Sequence, residues 1–120
     1  MEKPLFVYYP KCGTCQKALK WLRANDIEVE LRDIVMDSPK LEELEDWHEK
    51  SQLPLKKFFN TSGLVYKAMD LKTVLPTATN EQQLELLASD GKLVKRPVLV
   101  HQGNVLVGFK EADYEAFFNK

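Results

Sequence analysis

The stretch Leu5-Phe6-Val7-Tyr8-Tyr9-Pro10-Lys11-Cys12-Gly13-Thr14-Cys15 runs from five β-prone apolar residues, through a proline, to two cysteines two residues apart. Such a run suits a buried central strand, and Pro10 ends it in a loop. From Thr14 to Ala24 the apolar residues Ala18, Leu19, Trp21 and Leu22 fall at helical spacing, with Lys17, Lys20 and Arg23 available to water. Asn25-Asp26 closes this helix. Ile27, Val29 and Leu31 then alternate with Glu28, Glu30 and Arg32, the period of a strand with one face against a core. Together these pieces make a β-α-β unit whose first turn carries both cysteines. Its short connection predicts parallel pairing with a right-handed crossover, and ligands gather at that end of such sheets.

Further along, Ser38-Pro39 offers an N-cap and a first-turn proline to a helix carrying Leu41, Leu44 and Trp47. Pro54 starts a short helical turn, and Asn60-Thr61-Ser62-Gly63 punctuates it. Thr79 to Gln82 has capping-box spacing for a helix that turns Leu84, Leu87 and Ala88 inward, closed by Asp90-Gly91. Val98-Leu99-Val100 and Val105-Leu106-Val107 flank His101-Gln102-Gly103-Asn104, which predicts a hairpin with a four-residue loop. Glu111 to Phe118 reads as an amphipathic helix, with Ala112, Tyr114, Phe117 and Phe118 toward a sheet and Glu111, Asp113 and Glu115 at its amino-terminal half. The expected fold is α/β: a β-α-β…β-β-α sheet with a helical insertion at about residues 37–91, within one domain spanning 1–120.

A chain of 120 residues buries roughly two-thirds of its unfolded surface, so it needs no metal or disulfide scaffold. With 44% hydrophobic and 29% charged residues the composition is globular. Seventeen basic residues against eighteen acidic ones leave a formal charge of -1, so no direct nucleic-acid surface is expected. No apolar run approaches the roughly 20 residues of a membrane span. Met1-Glu2-Lys3-Pro4 leads into an apolar run too short for a secretory signal, and a cytoplasmic location is expected. Thiols stay reduced there, so Cys12 and Cys15, the only two cysteines, read as chemical or metal-binding rather than as a permanent disulfide.

Between a strand and a helix, Cys12-Gly13-Thr14-Cys15 meets unpaired backbone N–H groups and a helix dipole that stabilise a thiolate, and Lys11 adds a nearby positive charge. Cys12, at the lip of the turn, is the expected nucleophile. Cys15, one helical turn on and less accessible, is placed to resolve a mixed disulfide, and Gly13 and Thr14 leave room for that attack. Two inert buried thiols, or half of a metal site, also fit the spacing. A tetrahedral zinc would need two more ligands, and His48 and His101 make no ligand pair, so no metal is expected.

Tyr9-Pro10-Lys11-Cys12-Gly13-Thr14-Cys15, Lys57-Phe58-Phe59-Asn60-Thr61-Ser62-Gly63, Leu86-Leu87-Ala88-Ser89-Asp90-Gly91 and Lys95-Arg96-Pro97 resemble the arsenate reductase (ArsC)/Spx family over nearly the whole chain. The resemblance implies a thioredoxin-like sheet with an inserted helical subdomain. In that class the proline before the third strand is cis and lies against the cysteine turn, which here would bring Arg96 to Cys12; a harmless edge proline is the plain alternative for Pro97. In the family's arsenate reductases one cysteine attacks the oxyanion, three arginines hold it, and an external thiol such as glutathione, glutaredoxin or thioredoxin completes reduction. Cys12 and Arg96 fall on matching positions. Asn60 and Gly108 stand where the other two arginines would be, and Cys15 where serine is common. The Spx branch uses its CxxC as a thiol switch and binds the RNA polymerase α-subunit, with an arginine where this chain has Ser62.

The expected function is therefore a thiol–disulfide oxidoreductase acting on a small oxyanion or a protein disulfide, with no bound cofactor, the alternative being a redox-sensing regulator that binds the RNA polymerase α-subunit. The substrate-side residues are Lys11, Gly13, Thr14, Asn60, Arg96 and Pro97. Asn60 fits two roles, a left-handed cap ending a short helix or a polar contact in the active cleft. His48 and His101 read as surface or turn residues, Trp21 and Trp47 as core. Glu42-Glu43 and Glu45-Asp46 read as a solvated helix face.

Overall fold

β1 (Leu5–Tyr8) takes a central place in a four-stranded sheet because it is apolar on both sides: Phe6 and Val7 are each fully buried, one in each of two separate core clusters. It pairs in parallel with β2 (Glu30–Asp33) and antiparallel with β3 (Val98–His101). β3 pairs antiparallel with β4 (Asn104–Val107), giving the order β2-β1-β3-β4. α1 (Gly13–Ala24) joins the parallel pair, and α6 (Glu111–Phe118) follows β4, so the β-α-β…β-β-α order of a thioredoxin-like α/β fold is present as expected. The computed structural model describes residues 3–120; Met1 and Glu2, on which the reading of the amino terminus rests in part, lie outside the described residues.

Each face of the sheet buries its own cluster. On one, Phe6 and Leu99 meet Ala18, Leu19 and Leu22 of α1 and Tyr114 of α6, with Trp21 edge-on to Tyr114 at 5.7 Å between ring centroids. On the other, Val7, Val98 and Val105 meet residues from the stretch 37–91. There α2 (Leu41–Ser51) contributes Leu44 and Trp47, a 3₁₀ turn over Leu55–Phe58 contributes Leu55 and Phe58, and α5 (Asn80–Ser89) contributes Leu87. Two further short helices, α3 (Leu64–Ala68) and α4 (Leu71–Val74), complete that layer, Leu71 being buried. At roughly 1.5–3 kcal/mol for each large apolar side chain taken fully out of water, both clusters matter to folding.

Local chemistry moved several boundaries. The strand expected from Ile27 starts only at Glu30, whose N–H donates to the Pro4 carbonyl at 2.8 Å. Pro4 has no N–H with which to extend the ladder, and at this sheet edge Leu31 stays 45% exposed. α2 begins at Leu41 rather than after Ser38, because the Arg32 guanidinium holds the carbonyls of Asp37 and Ser38 at 2.9 and 3.2 Å, and Glu43 accepts the Lys40 N–H at 3.0 Å. Glu43 also receives Arg32 at 2.6 and 2.8 Å, so this one member of the acidic run is not a solvated charge. The hairpin loop is two residues, not four: His101 pairs with Asn104, and Gln102 and Gly103 both take positive φ (49° and 78°), the geometry of a two-residue turn in which glycine is at ease. The capping box forms as read, Gln82 N–H donating to Thr79 Oγ1 at 3.1 Å and Thr79 N–H to Gln82 Oε1 at 2.9 Å.

Candidate functional site at the cysteine turn

The turn after β1 is tied at three points. Cys12 N–H donates to the Tyr9 carbonyl at 3.0 Å, the Gln16 side chain donates to the Pro10 carbonyl at 2.8 Å, and Gln16 N–H accepts its place in α1 by donating to the Cys12 carbonyl at 3.1 Å. Cys12 is thus the N-cap residue, in extended conformation (φ −90°, ψ 121°), at the positive end of a 12-residue helix with no acidic residue in its first turn. Cys12 is half-buried, and Cys15 has no exposed surface. Tyr9 N–H points at the Cys15 sulfur, 3.5 Å away. Gly13 and Thr14 are exposed.

Opposing influences set the ionisation of the two sulfurs. For Cys12 the largest is burial, which pushes its thiol up; hydrogen bonding from the Cys15 N–H and thiol, then hydrogen bonding and charge from Arg96, together outweigh it and leave Cys12 below the ordinary thiol range. For Cys15 burial again comes first and wins, with the Tyr9 N–H opposing it and the negative charge of Cys12 adding to it, so its thiol is pushed up to about 12. One sulfur is made ionisable and its neighbour holds its proton. Lys11 is exposed, and the side-chain cation that acts on Cys12 is Arg96.

Arg96 comes from the segment entering β3, the strand next to β1. Arg96-Pro97 is a cis peptide, and Pro97 is buried where β3 begins, its carbonyl accepting the Gly108 N–H at 2.8 Å. The Arg96 guanidinium lies over the Tyr9 ring, 4.7 Å from its centroid, an arrangement that fixes the plane of the cation. Its Nη1 is buried without a hydrogen-bond partner. An unpartnered cationic donor beside a sulfur of lowered pKa is equipped to receive negative charge on a reacting group.

Asn60 reaches this neighbourhood through a tertiary backbone pairing. Phe59 and Val94 form an antiparallel bridge, with Asn60 N–H donating to the Leu93 carbonyl at 2.8 Å and Lys95 N–H to the Phe58 carbonyl at 2.7 Å. Its backbone is not left-handed, so the cap role does not occur; Phe59 ends the 3₁₀ turn instead. Asn60, Tyr9, Ser62, Lys92 and Arg96 line a cleft of about 470 Å³, and Leu64, 84% exposed, stands on its wall. A side chain at Gly63 would collide with the Asn60 amide, so the absence of a Cβ there lets Asn60 fold back over the turn. Sequence reasoning passed over Tyr9, Lys92 and Leu64. The alternation of β1 already places Tyr9 on the face of Val7, opposite Tyr8, and that signal was available. Neither histidine joins the site: His48 lies edge-on to Phe58 at 6.0 Å, and His101 lies beside Phe117 and Phe118. No group of three or more metal-ligating side chains occurs among the described residues.

Comparison with known proteins is decisive at the level of family. A model of the ArsC family matches residues 7–117. The chain belongs to the ArsC family. A solved structure of an ArsC family related protein from Bacteroides fragilis superposes with a TM-score of 0.93 at 57% identity, covering 95% of this chain and 96% of that one. The uncharacterised protein YusI of Bacillus subtilis is 51% identical over 92% of this chain and 93% of its own length. The regulatory protein MgsR of the same organism is 30% identical over 94% of this chain and 89% of its own. Relatives of this chain therefore include a protein described as a regulator as well as an ArsC-related one. Among the described residues no helix of this chain is long and apolar enough to cross a membrane.

Proposed function

We propose that this ArsC-family chain is a thiol–disulfide reductase in which Cys12 attacks, Cys15 resolves and Arg96 steadies negative charge. The observation that carries the reading is the asymmetry of the two sulfurs: Cys12 lowered at the mouth of α1 and Cys15 raised beneath it. The Cys12 thiolate attacks one sulfur of a disulfide, forming a mixed disulfide and expelling the other sulfur as thiolate. Cys15 then passes its proton to a departing thiolate and attacks Cys12, which releases the reduced substrate and leaves a Cys12–Cys15 disulfide. Two electrons from an external thiol, glutathione or a glutaredoxin or thioredoxin, restore the dithiol. Gly13 and Thr14 keep the approach open, Pro97 sets the backbone that faces the turn, and Asn60 offers a neutral polar contact. Lys11 contributes to the outer rim. A protein or small-molecule disulfide suits a site with one arginine better than an oxyanion, which needs several fixed cations.

Alkylation rates measured against pH test this. Cys12 should react with a midpoint lower than that of an ordinary free thiol, and Arg96→Ala should move that midpoint upward. A Cys15→Ser chain should accumulate mixed disulfides through Cys12 in a cell extract. Two thiols titrating as ordinary cysteines, with no trapped adducts, would refute the reductase. A redox-gated regulator acting through the RNA polymerase α-subunit is the second reading, supported by kinship with MgsR, and capture of that subunit by only one redox state would favour it.

A further inference from the structure

A second cleft opens in the helical layer, between the 3₁₀ turn Leu55–Phe58, α3 and the segment that enters α5. It holds about 530 Å³, within the range of small-molecule sites. Four lysines stand around it, Lys56, Lys57, Lys72 and Lys95, all exposed and none in an ion pair among the described residues. No carboxylate lines the cleft to balance them. Its wall includes two aromatic rings, Phe59 and Tyr66, edge-to-face at 6.3 Å between centroids. Gln83 also lines it, its amide held by donation to the Ala78 carbonyl at 3.2 Å, which leaves Oε1 buried with no hydrogen-bond partner. A donor reaching that acceptor would satisfy it.

We propose that this cleft binds a small phosphorylated aromatic molecule of the nucleoside di- or triphosphate class. The lysines supply charge for the phosphates, the half-buried Tyr66, backed by the buried Phe59, supplies a face for the ring, and turning the Gln83 amide brings its acceptor to a ring amino group. No glycine-rich loop lines the cleft, so ammonium groups replace the backbone cradle of dinucleotide sites. A nucleic-acid strand is disfavoured because the chain's formal charge is -1 and the lysines surround one cleft rather than a track. An acidic peptide would satisfy the charge and leave the ring pair and the Gln83 acceptor unused. The cleft is next in the chain to the cysteine site: Phe59 and Lys95 of its lining directly precede Asn60 and Arg96 of the other.

Titration of the full-length ¹⁵N-labelled chain with ATP at low salt, followed by NMR, tests the assignment. Saturable shifts are expected at Lys57, Thr61, Tyr66 and Gln83, with an apparent Kd below about 1 mM. Adenosine and inorganic tripolyphosphate should each bind about tenfold more weakly than ATP. A Lys57→Glu/Lys72→Glu double variant with an unchanged circular dichroism spectrum should weaken ATP to a similar degree. Gln83→Leu should weaken ATP and leave tripolyphosphate unaffected, which separates recognition from stability. Absence of saturation would overturn the proposal, as would tripolyphosphate binding as tightly as ATP, indifference of ATP to the lysine reversals, or tighter binding of hexaglutamate than of ATP.

Discussion

The two layers that cover the sheet are built by different means. On the Phe6 face, α1 and α6 run for 12 and 8 residues and meet the strands through continuous apolar stripes. On the Val7 face, residues 37–91 use α2 and α5 with four shorter helical pieces between them, and α3 has no fully buried residue. Long helices hold their place by packing. The short pieces, too brief to be stable on periodicity, lean on tertiary bonds such as the Phe59–Val94 bridge, and even the longer α2 is anchored at its start by Arg32 to Glu43. The cysteine turn belongs to the first kind of structure, whereas Asn60 lies in the second and Arg96 just beyond their junction.

The severest challenge to this contrast is Phe58→Ala, which removes a fully buried ring from the Val7 face and should cost about 3–5 kcal/mol. Trp21 reports on the α1/α6 layer and Trp47 on the helical layer, so Trp21→Phe and Trp47→Phe backgrounds each leave one fluorescent reporter. Coincident thermal transitions in both would show one cooperative unit. A Trp47 transition that falls while that of Trp21 holds would show that the layers melt separately.

A smaller effect attaches to Glu43, whose carboxyl is held below the usual range chiefly by hydrogen bonding from Arg32, against the opposing pull of burial. A carboxyl depressed by folding contributes stability above its unfolded value near 4.3, and that contribution is lost as pH falls through the lower folded value. Denaturant midpoints of the native chain should therefore fall across that acidic window more steeply than those of Glu43→Gln. The variant itself should be weaker at pH 7 by on the order of 1 kcal/mol, discounted because the pair is partly exposed. Parallel pH curves would show that Arg32 does not anchor the start of α2. The smallest change is Thr79→Ala, which removes the cap of α5 at a cost of about 1 kcal/mol, readable as a shift in urea midpoint.

Legibility in the sequence follows the same division. The β1-α1 unit, the half-exposed and buried partners Cys12 and Cys15, the hairpin and α6 were readable because each is specified by neighbours within a few residues. The meeting of Arg96 with the cysteine turn was expected only through family resemblance, since 80 residues lie between Cys15 and Arg96 and no local pattern joins them. The start of α2 was misplaced because Ser38 looks like a cap until Arg32 takes its carbonyl. Helices α3 and α4 carried no periodic signal, their exposed Leu64 and Val74 being the opposite of a core stripe. Asn60 defeated the local reading because its backbone partner is Leu93, which no turn preference predicts.

Complete enclosure of Cys15 decides which sulfur an oxidant reaches. A peroxide arriving from solvent meets Cys12 first, and the sulfenic acid formed there faces a thiol one helical turn away. Under the proposed dithiol chemistry, condensation of the two into a disulfide would compete with further oxygen addition and stop the oxidation at a rung that thiols reverse, below the irreversible acids.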